Sequence, residues 1–308
     1  MSLTERIRSA AQQVTQQADF VTLHTDKITA YTQMLLQQYP LVTTWGEDVH
    51  VKSPAYVLAL DSINFGSGYF HVARKYGLDL EYDNIAGSLK KYFEKELLDT
   101  PEKWTLAVAD DFHALLNIPK GLDCRLDELM QNFALHLAKT GERILADYFD
   151  VVGFLKACGN SALHMAEIAA SWPSFDDHYD YDYKGMSVPV FKRAQILAAD
   201  MNLVMGGTFK DIDALTIFAD NMVPHVLRCD GILEYTPTLS QKIDRGETLE
   251  RGSPEEIEIR CCAIHAVELM RKTAKDITSV NLDHILWRRG YEPQIYSKSS
   301  HRCFTTAY

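Results

Sequence analysis

The chain has 308 residues, 46% of them hydrophobic and 24% charged, with a formal net charge of −11. That length buries one large core or two modest ones, and the composition carries no sign of disorder. The negative balance argues against a surface tracking the phosphates of long nucleic acid, whereas a single mononucleotide needs only a local cluster of donors.

The opening residues MSLTERIRSAAQQVTQQ lack the apolar core of a secretion signal, and no stretch approaches the ~20 apolar residues of a membrane span. A cytoplasmic protein without membrane partners is expected, present as a monomer or a small homo-oligomer. Its six cysteines, Cys124, Cys158, Cys229, Cys261, Cys262 and Cys303, are scattered without CxxC spacing and read as reduced thiols.

Helical periodicity dominates in chain order. Asp26 to Gln38 repeats apolar residues at three- and four-residue spacing, while Tyr56 to Asp61 (YVLALD) reads as either a short buried strand or a helix start. Asp123 to Phe149 and Asn160 to Ala170 are further helices. Asp180 to Val190 (DYDYKGMSVPV) alternates around Lys184-Gly185 and predicts a short β-hairpin. Val190 to Met205 is an amphipathic helix on which Lys192 and Gln195 lie off the apolar stripe and can point together into a cleft. Leu215, Phe218 and Ala219 predict a helix that stops before Pro224, leaving Asp220 in the hinge before the next helix, PHVLRCDG, which ends near Gly231. Ser253-Pro254-Glu255-Glu256 is a capping-box start for a helix running to about Ile277. Glu256, Arg260 and Glu268 on that helix suggest intrahelical pairing.

These patterns describe one mainly α, compact helical domain over 1–308 with a small β-hairpin. An N-terminal half runs to about 170, and a site-bearing half begins at about 171. No GxSxG, HExxH or phosphate-loop motif occurs. Cys262 and His265 share a helix face without a second ligand pair, so no metal and no cofactor are expected. On residue type alone, Lys192 reads as a solvated lysine or as an amine in a cleft. Asp220 reads as a helix cap, as a carboxylate aimed at substrate, or as both.

The run from Lys192-Arg193-Ala194-Gln195 to Phe218-Ala219-Asp220 and Val223-Pro224 resembles the queuosine salvage family. These are helical N-glycosylases that release queuine from queuosine 5'-monophosphate, a chemistry belonging to tRNA modification. At fold level the arrangement also looks like helix-hairpin-helix DNA glycosylases. The resemblance implies that Lys192 and Asp220 are catalytic and that Phe218 lines the site. VLALDSINFGSGYF, from Val57 to Phe70, is similar to a family segment and implies that Asp61, Asn64 and Phe65 lie near the 7-deazaguanine base. SWPSFDD implies a substrate role for Asp177. The final SSHRCFTTAY implies His301, Arg302 and Tyr308, with His301 and Arg302 donating to a 5'-phosphate. LDHILW also matches, with Trp287 expected in the core.

Three departures stand out. Asn221-Met222 replaces a usual Tyr-Arg, Gly66 to Phe70 forms a glycine-rich loop where relatives carry Phe-Trp, and Phe304 stands where relatives have an arginine. The resulting expectation is a cofactor-free N-glycosidase acting on queuosine 5'-monophosphate. The alternatives are a glycosidase for another purine-like nucleoside or nucleotide, and a non-catalytic nucleobase-binding helical protein.

Overall fold

Short polar side chains set half of the helix starts. Ser2, Ser53, Asp123, Asp150, Ser161, Thr236, Ser253 and Thr278 each accept a hydrogen bond from a first-turn backbone N–H, satisfying donors that the helix itself leaves unpaired. The structure, a computed structural model, describes residues 1–40, 53–274 and 277–308.

Sixteen α-helices occur among the described residues. The first ten are α1 (Leu3–Gln16), α2 (Ile28–Gln38), α3 (Pro54–Ser62), α4 (Phe70–Lys75), α5 (Tyr82–Glu94), α6 (Pro101–Trp104), α7 (Ala109–Leu115), α8 (Cys124–Tyr148), α9 (Val151–Cys158) and α10 (Ala162–Ala170). Then come α11 (Lys192–Val204), α12 (Met222–Cys229), α13 (Pro237–Asp244), α14 (Pro254–Thr273), α15 (Ser279–Gly290) and α16 (Pro293–Tyr296). The strands are β1 (Val21–Leu23), β2 (His178–Tyr183), β3 (Met186–Pro189), β4 (Leu233–Tyr235), β5 (Thr248–Leu249) and β6 (Arg302–Cys303). They form three separate two-stranded ladders: β1 with β4 and β2 with β3 antiparallel, and β5 with β6 parallel.

The mainly α class and the hairpin at β2–β3 agree with the periodicity. YVLALD, open between strand and helix, is the body of α3, started by Ser53 and by Pro54 in the first turn. Three local expectations change. The helix begun at Ser253 ends at Thr273 rather than near Ile277. The capping box there is half built: Ser253 Oγ accepts from Glu256 N at 3.3 Å, while Glu256 Oε2 turns to Gly252 N at 3.0 Å and Oε1 accepts from the Tyr179 hydroxyl at 2.7 Å.

The third change bears on function. No helix precedes Asp220; Leu215 to Asp220 is irregular chain after a short 3₁₀ turn at Ile212–Ala214. Side chains from elsewhere supply what a helix would have supplied internally. Gln195 Oε1 accepts from Thr216 N at 2.9 Å, Asp283 Oδ1 accepts from Phe218 N at 2.8 Å, and Arg260 Nε donates to the Ala219 carbonyl at 2.9 Å. Gln195 therefore faces this segment and not the cleft expected for it.

One continuous hydrophobic core runs from Leu3 to Ile295. α1 packs on α14, α11 packs against both α10 and α3, and α12 lies on α15. α11 is buried nearly all round instead of along one stripe, because neighbours cover it from both sides. Among the described residues no helix is long and apolar enough to cross a membrane.

Candidate functional site

The N-terminus of α11, the end of α3, the segment before α12, one face of α15 and the final residues converge on a cavity of about 320 Å³. That size lies at the lower end of the range for small-molecule sites. Both halves of the chain contribute: Asn64, Phe65, His71 and Tyr82 from the first, and Lys192, Phe218, Asp220, Asp283 and Arg302 from the second.

Asp220 lies at the start of α12. Its Oδ1 accepts from the N–H groups of Met222 at 2.8 Å and Val223 at 3.1 Å, so it caps α12. The side chain also lines the cavity. Two backbone donors and the positive end of a helix favour negative charge at this carboxyl. Among the described residues no protein donor takes Oδ2, which leaves that oxygen for a ligand.

Lys192 is 5% exposed, not solvated. Burial pulls its pKa below the ordinary lysine value, while the charges of Asp220 and Asp61 oppose that shift. Its Nζ donates to the Asn64 carbonyl at 3.3 Å and to Asn64 Oδ1 at 3.4 Å. The helix start that delivers it is fixed by an unusual backbone: Phe191 sits in the left-handed region with φ of 49°, a costly conformation for a side-chain-bearing residue. Asp177 holds that turn, its carbonyl accepting from Val190 N and Phe191 N and its Oδ2 from Lys192 N at 2.9 Å.

Asp283 was not expected from its sequence context. It lines the cavity at 5% exposure. Burial first, and the nearby Asp220 charge second, push its carboxyl well above the usual carboxylate range. Trp287, one turn further along α15, also lines the cavity, which corrects the expectation of a core tryptophan. It meets Tyr82 and Tyr291 edge-on, with ring centroids 6.2 Å and 4.8 Å away. An acid and an aromatic four residues apart share a helix face, and that spacing in LDHILW was the available signal.

Asn64, Phe65, Phe218, Arg302 and Tyr308 all reach the cavity as expected. Phe65 does so as a packed residue, its ring already against Phe133 at 5.0 Å and His136 at 4.8 Å, with the Arg193 guanidinium 5.0 Å away. Phe218, Trp287 and Tyr82 are further aromatic residues of the lining.

Three expected residues are buried and do not line the cavity. Asp61 is 0% exposed and accepts from Asn64 Nδ2 at 3.3 Å. Burial raises its carboxyl to about 7, opposed by that hydrogen bond and by the charges of Lys192 and Arg193. Asp177 is 0% exposed and forms a bidentate pair with Arg260, both N–H···O distances being 2.7 Å. Burial alone would raise its carboxyl, but the guanidinium more than offsets that and holds it low. His301 is buried against the Tyr308 hydroxyl, Nε2 to oxygen 3.3 Å, and burial lowers its pKa to about 3. A neutral, enclosed imidazole is a poor phosphate donor.

Arg260 keeps the expected intrahelical pair with Glu256, at 3.9 Å, but is fully buried. It links Asp177, which anchors Lys192, to the Ala219 carbonyl, which precedes Asp220. The Tyr308 ring covers it at 4.4 Å. Glu268 pairs with Arg8 at 2.8 Å.

The glycine-rich loop is tight where the sequence suggested looseness. Gly66 has φ of 100° and its N–H reaches the Tyr308 carbonyl at 3.0 Å. A Cβ on Gly68 would meet the Cys303 carbonyl oxygen at 1.9 Å, so only glycine allows β6 to lie there.

A family model described as Queuosine salvage protein matches residues 47–308. The chain is 28% identical to the queuosine 5'-phosphate N-glycosylase/hydrolase of Sphaerobacter thermophilus, over 98% of this chain and 97% of that relative. It is 33% identical to the protein of the same name from Schizosaccharomyces pombe over 52% of this chain and 50% of the relative. The one from Bos taurus is 38% identical over 41% and 40% respectively. With a match that covers the cavity-forming segments from α3 to the final tyrosine, this chain belongs to the queuosine salvage protein family.

Proposed function

We propose that this protein hydrolyses the N-glycosidic bond of queuosine 5'-monophosphate, releasing queuine and ribose 5-phosphate. The observation that carries the reading is the pairing of two unlike carboxyls, Asp220 and Asp283, in one cavity with a buried lysine. Carboxyls placed in environments that separate their protonation are the usual basis for dividing acid and base roles.

As the bond from the base nitrogen to C1' lengthens, positive charge develops on the sugar. The Asp220 carboxylate, fixed by two backbone amides, stabilises that charge electrostatically without reorganising. It also orients and deprotonates the water whose oxygen bonds to C1'. The electron pair of the broken bond stays with the base, which takes up a proton. A 7-deazapurine has carbon at the ring position where purines are commonly protonated, so the proton must arrive on another edge. Asp283, kept protonated by burial and by Asp220, supplies it. Lys192 holds the charge balance between the two acids and donates to the ribose. Phe218 and Trp287 flank the base.

The test is a panel of nucleosides and 5'-monophosphates, with released base measured by chromatography. Queuine release from queuosine 5'-monophosphate, well above release from guanosine or adenosine 5'-monophosphate, is the expected result. Preferential release of another base would install the alternative glycosidase. Binding without product after long incubation would leave a nucleobase-binding protein.

A further inference from the structure

Two buried acids that brace the fold are saturated with donors. Glu258 accepts from the backbone N–H groups of Asp19, Phe20 and Val21 and from the Tyr183 hydroxyl, at 2.6 to 3.1 Å. Asp177 accepts from both terminal nitrogens of Arg260 and from Lys192 N. Asp61, equally enclosed near the end of α3, is built differently. Its Oδ1 accepts from Asn64 Nδ2 at 3.3 Å, and no protein donor among the described residues takes the buried Oδ2. Arg193, the residue after Lys192, donates instead to the Ser62 carbonyl at 2.9 Å. An under-bonded buried acid costs stability that an apolar side chain would not, so folding alone does not account for it.

What Asp61 settles is the direction of one amide. An asparagine side chain presents a carbonyl on one side and an NH2 on the other. With Nδ2 given to Asp61, Asn64 turns Oδ1 toward Lys192, whose Nζ donates to it at 3.4 Å and to the Asn64 backbone carbonyl at 3.3 Å. The reverse orientation would set the amide N–H groups against the ammonium. A lysine ammonium carries three donors. Asn64 takes two of them here, which leaves one for the cavity that Lys192 lines. The packing of α11 on α3 creates this juxtaposition, setting the first residue of one helix beside the turn that ends the other.

We infer that Asp61 is a positioning residue for glycoside cleavage: it fixes the Asn64 amide, and that amide aims the Lys192 amine into the cavity. The family resemblance placed Asp61 near the base, whereas the geometry ties it to the amine. The assignment rests on the glycosidase function proposed for the same cavity.

The experiment compares Asp61→Ala with Asp61→Asn, which keeps an oxygen able to accept from Asn64 Nδ2. With queuosine 5'-monophosphate, kcat should fall about 10- to 100-fold in Asp61→Ala, the scale of a displaced catalytic group, with KM within about twofold. Asp61→Asn should restore kcat to within about threefold of wild type. Unchanged kcat in Asp61→Ala overturns the assignment, as does a loss in Asp61→Asn equal to that in Asp61→Ala. Asn64→Ala breaks the same link from a half-buried position and carries the test if Asp61→Ala does not fold; unchanged kcat in it overturns the assignment by itself. Adding Asp61→Ala to Asn64→Ala should cost no further kcat, because one residue acts through the other. Additive losses overturn that route.

The Lys192 amine supplies a readout independent of turnover. Its nitrogen NMR resonance, assigned with Lys192→Arg and recorded at one pH, should shift in Asp61→Ala and in Asn64→Ala. In Asp61→Asn it should stay closer to the wild-type position. A resonance unmoved in Asp61→Ala overturns the assignment. Absence of base release across the substrate panel, with that shift present, would sink the glycosidase reading and leave the link from Asp61 to Lys192 standing.

Discussion

Two acid–base pairs lie on either side of the cavity wall, and they are built in opposite ways. Asp177 and Arg260 are fully buried and closed on each other through two hydrogen bonds, with Tyr179 and the Ala219 carbonyl taking further guanidinium donors. Lys192 and Asp220 are not closed on each other: the amine is turned to Asn64 and the carboxylate to the amides of α12. A satisfied pair has no capacity left for a ligand, whereas an unclosed pair keeps its charge available. The first pair holds the second in place, because Asp177 anchors the backbone of Lys192 and Arg260 anchors the residue before Asp220.

The largest effect should come from the open pair. Asp220→Asn keeps the cap on α12 but removes the negative charge. Turnover should fall at least about 10,000-fold, roughly 5.5 kcal/mol, because electrostatic stabilisation and water activation are lost together. Chromatographic base release checks this, and near-normal release would return Asp220 to a capping role alone.

Breaking the closed pair should register as stability first. Arg260→Ala leaves Asp177 buried without its partner, expected to cost about 3–5 kcal/mol, measured by urea unfolding. A variant as stable as wild type would show that the pair does not brace the wall.

Asp283→Asn should lower kcat about 100-fold, the scale of a general acid. Its raised carboxyl means that the active, protonated form is present at low pH and lost as pH rises. Wild-type activity should therefore decline on the alkaline side, and the variant should lack that limb. An unchanged pH profile would remove Asp283 from proton transfer.

The smallest effect concerns Asp61. Its folded carboxyl titrates at about 7, whereas an unfolded aspartate ionises near pH 3.9. Stability from its protonated form is complete below that lower value and is lost as pH rises through 7. Asp61→Asn should flatten the wild-type decline between pH 5 and pH 8, seen by urea unfolding at both. An identical slope in the variant would assign the decline to other groups.

Local chemistry in the chain was enough for several of the helices and for the hairpin at Lys184-Gly185, while Lys192 and Asp220 stood between a bland and a chemical reading until family likeness favoured the second. Capping serines, a proline before an elbow and apolar periodicity act over a few residues and are visible in order. Family likeness brought Asn64, Phe218, Arg302 and Tyr308 to the same cavity. Contacts between distant segments settled the rest. Arg260 read only as an intrahelical pair because its closer partner, Asp177, lies 83 positions away. The run before Asp220 read as helix because the side chains that replace helical bonds come from Gln195, Asp283 and Arg260. Asp61, Asp177 and His301 carry chemistry that suits a site, but burial is a property of the assembled fold. Desolvation and long-range pairing decided which charges line the cavity, and neither is written at any single position in the chain.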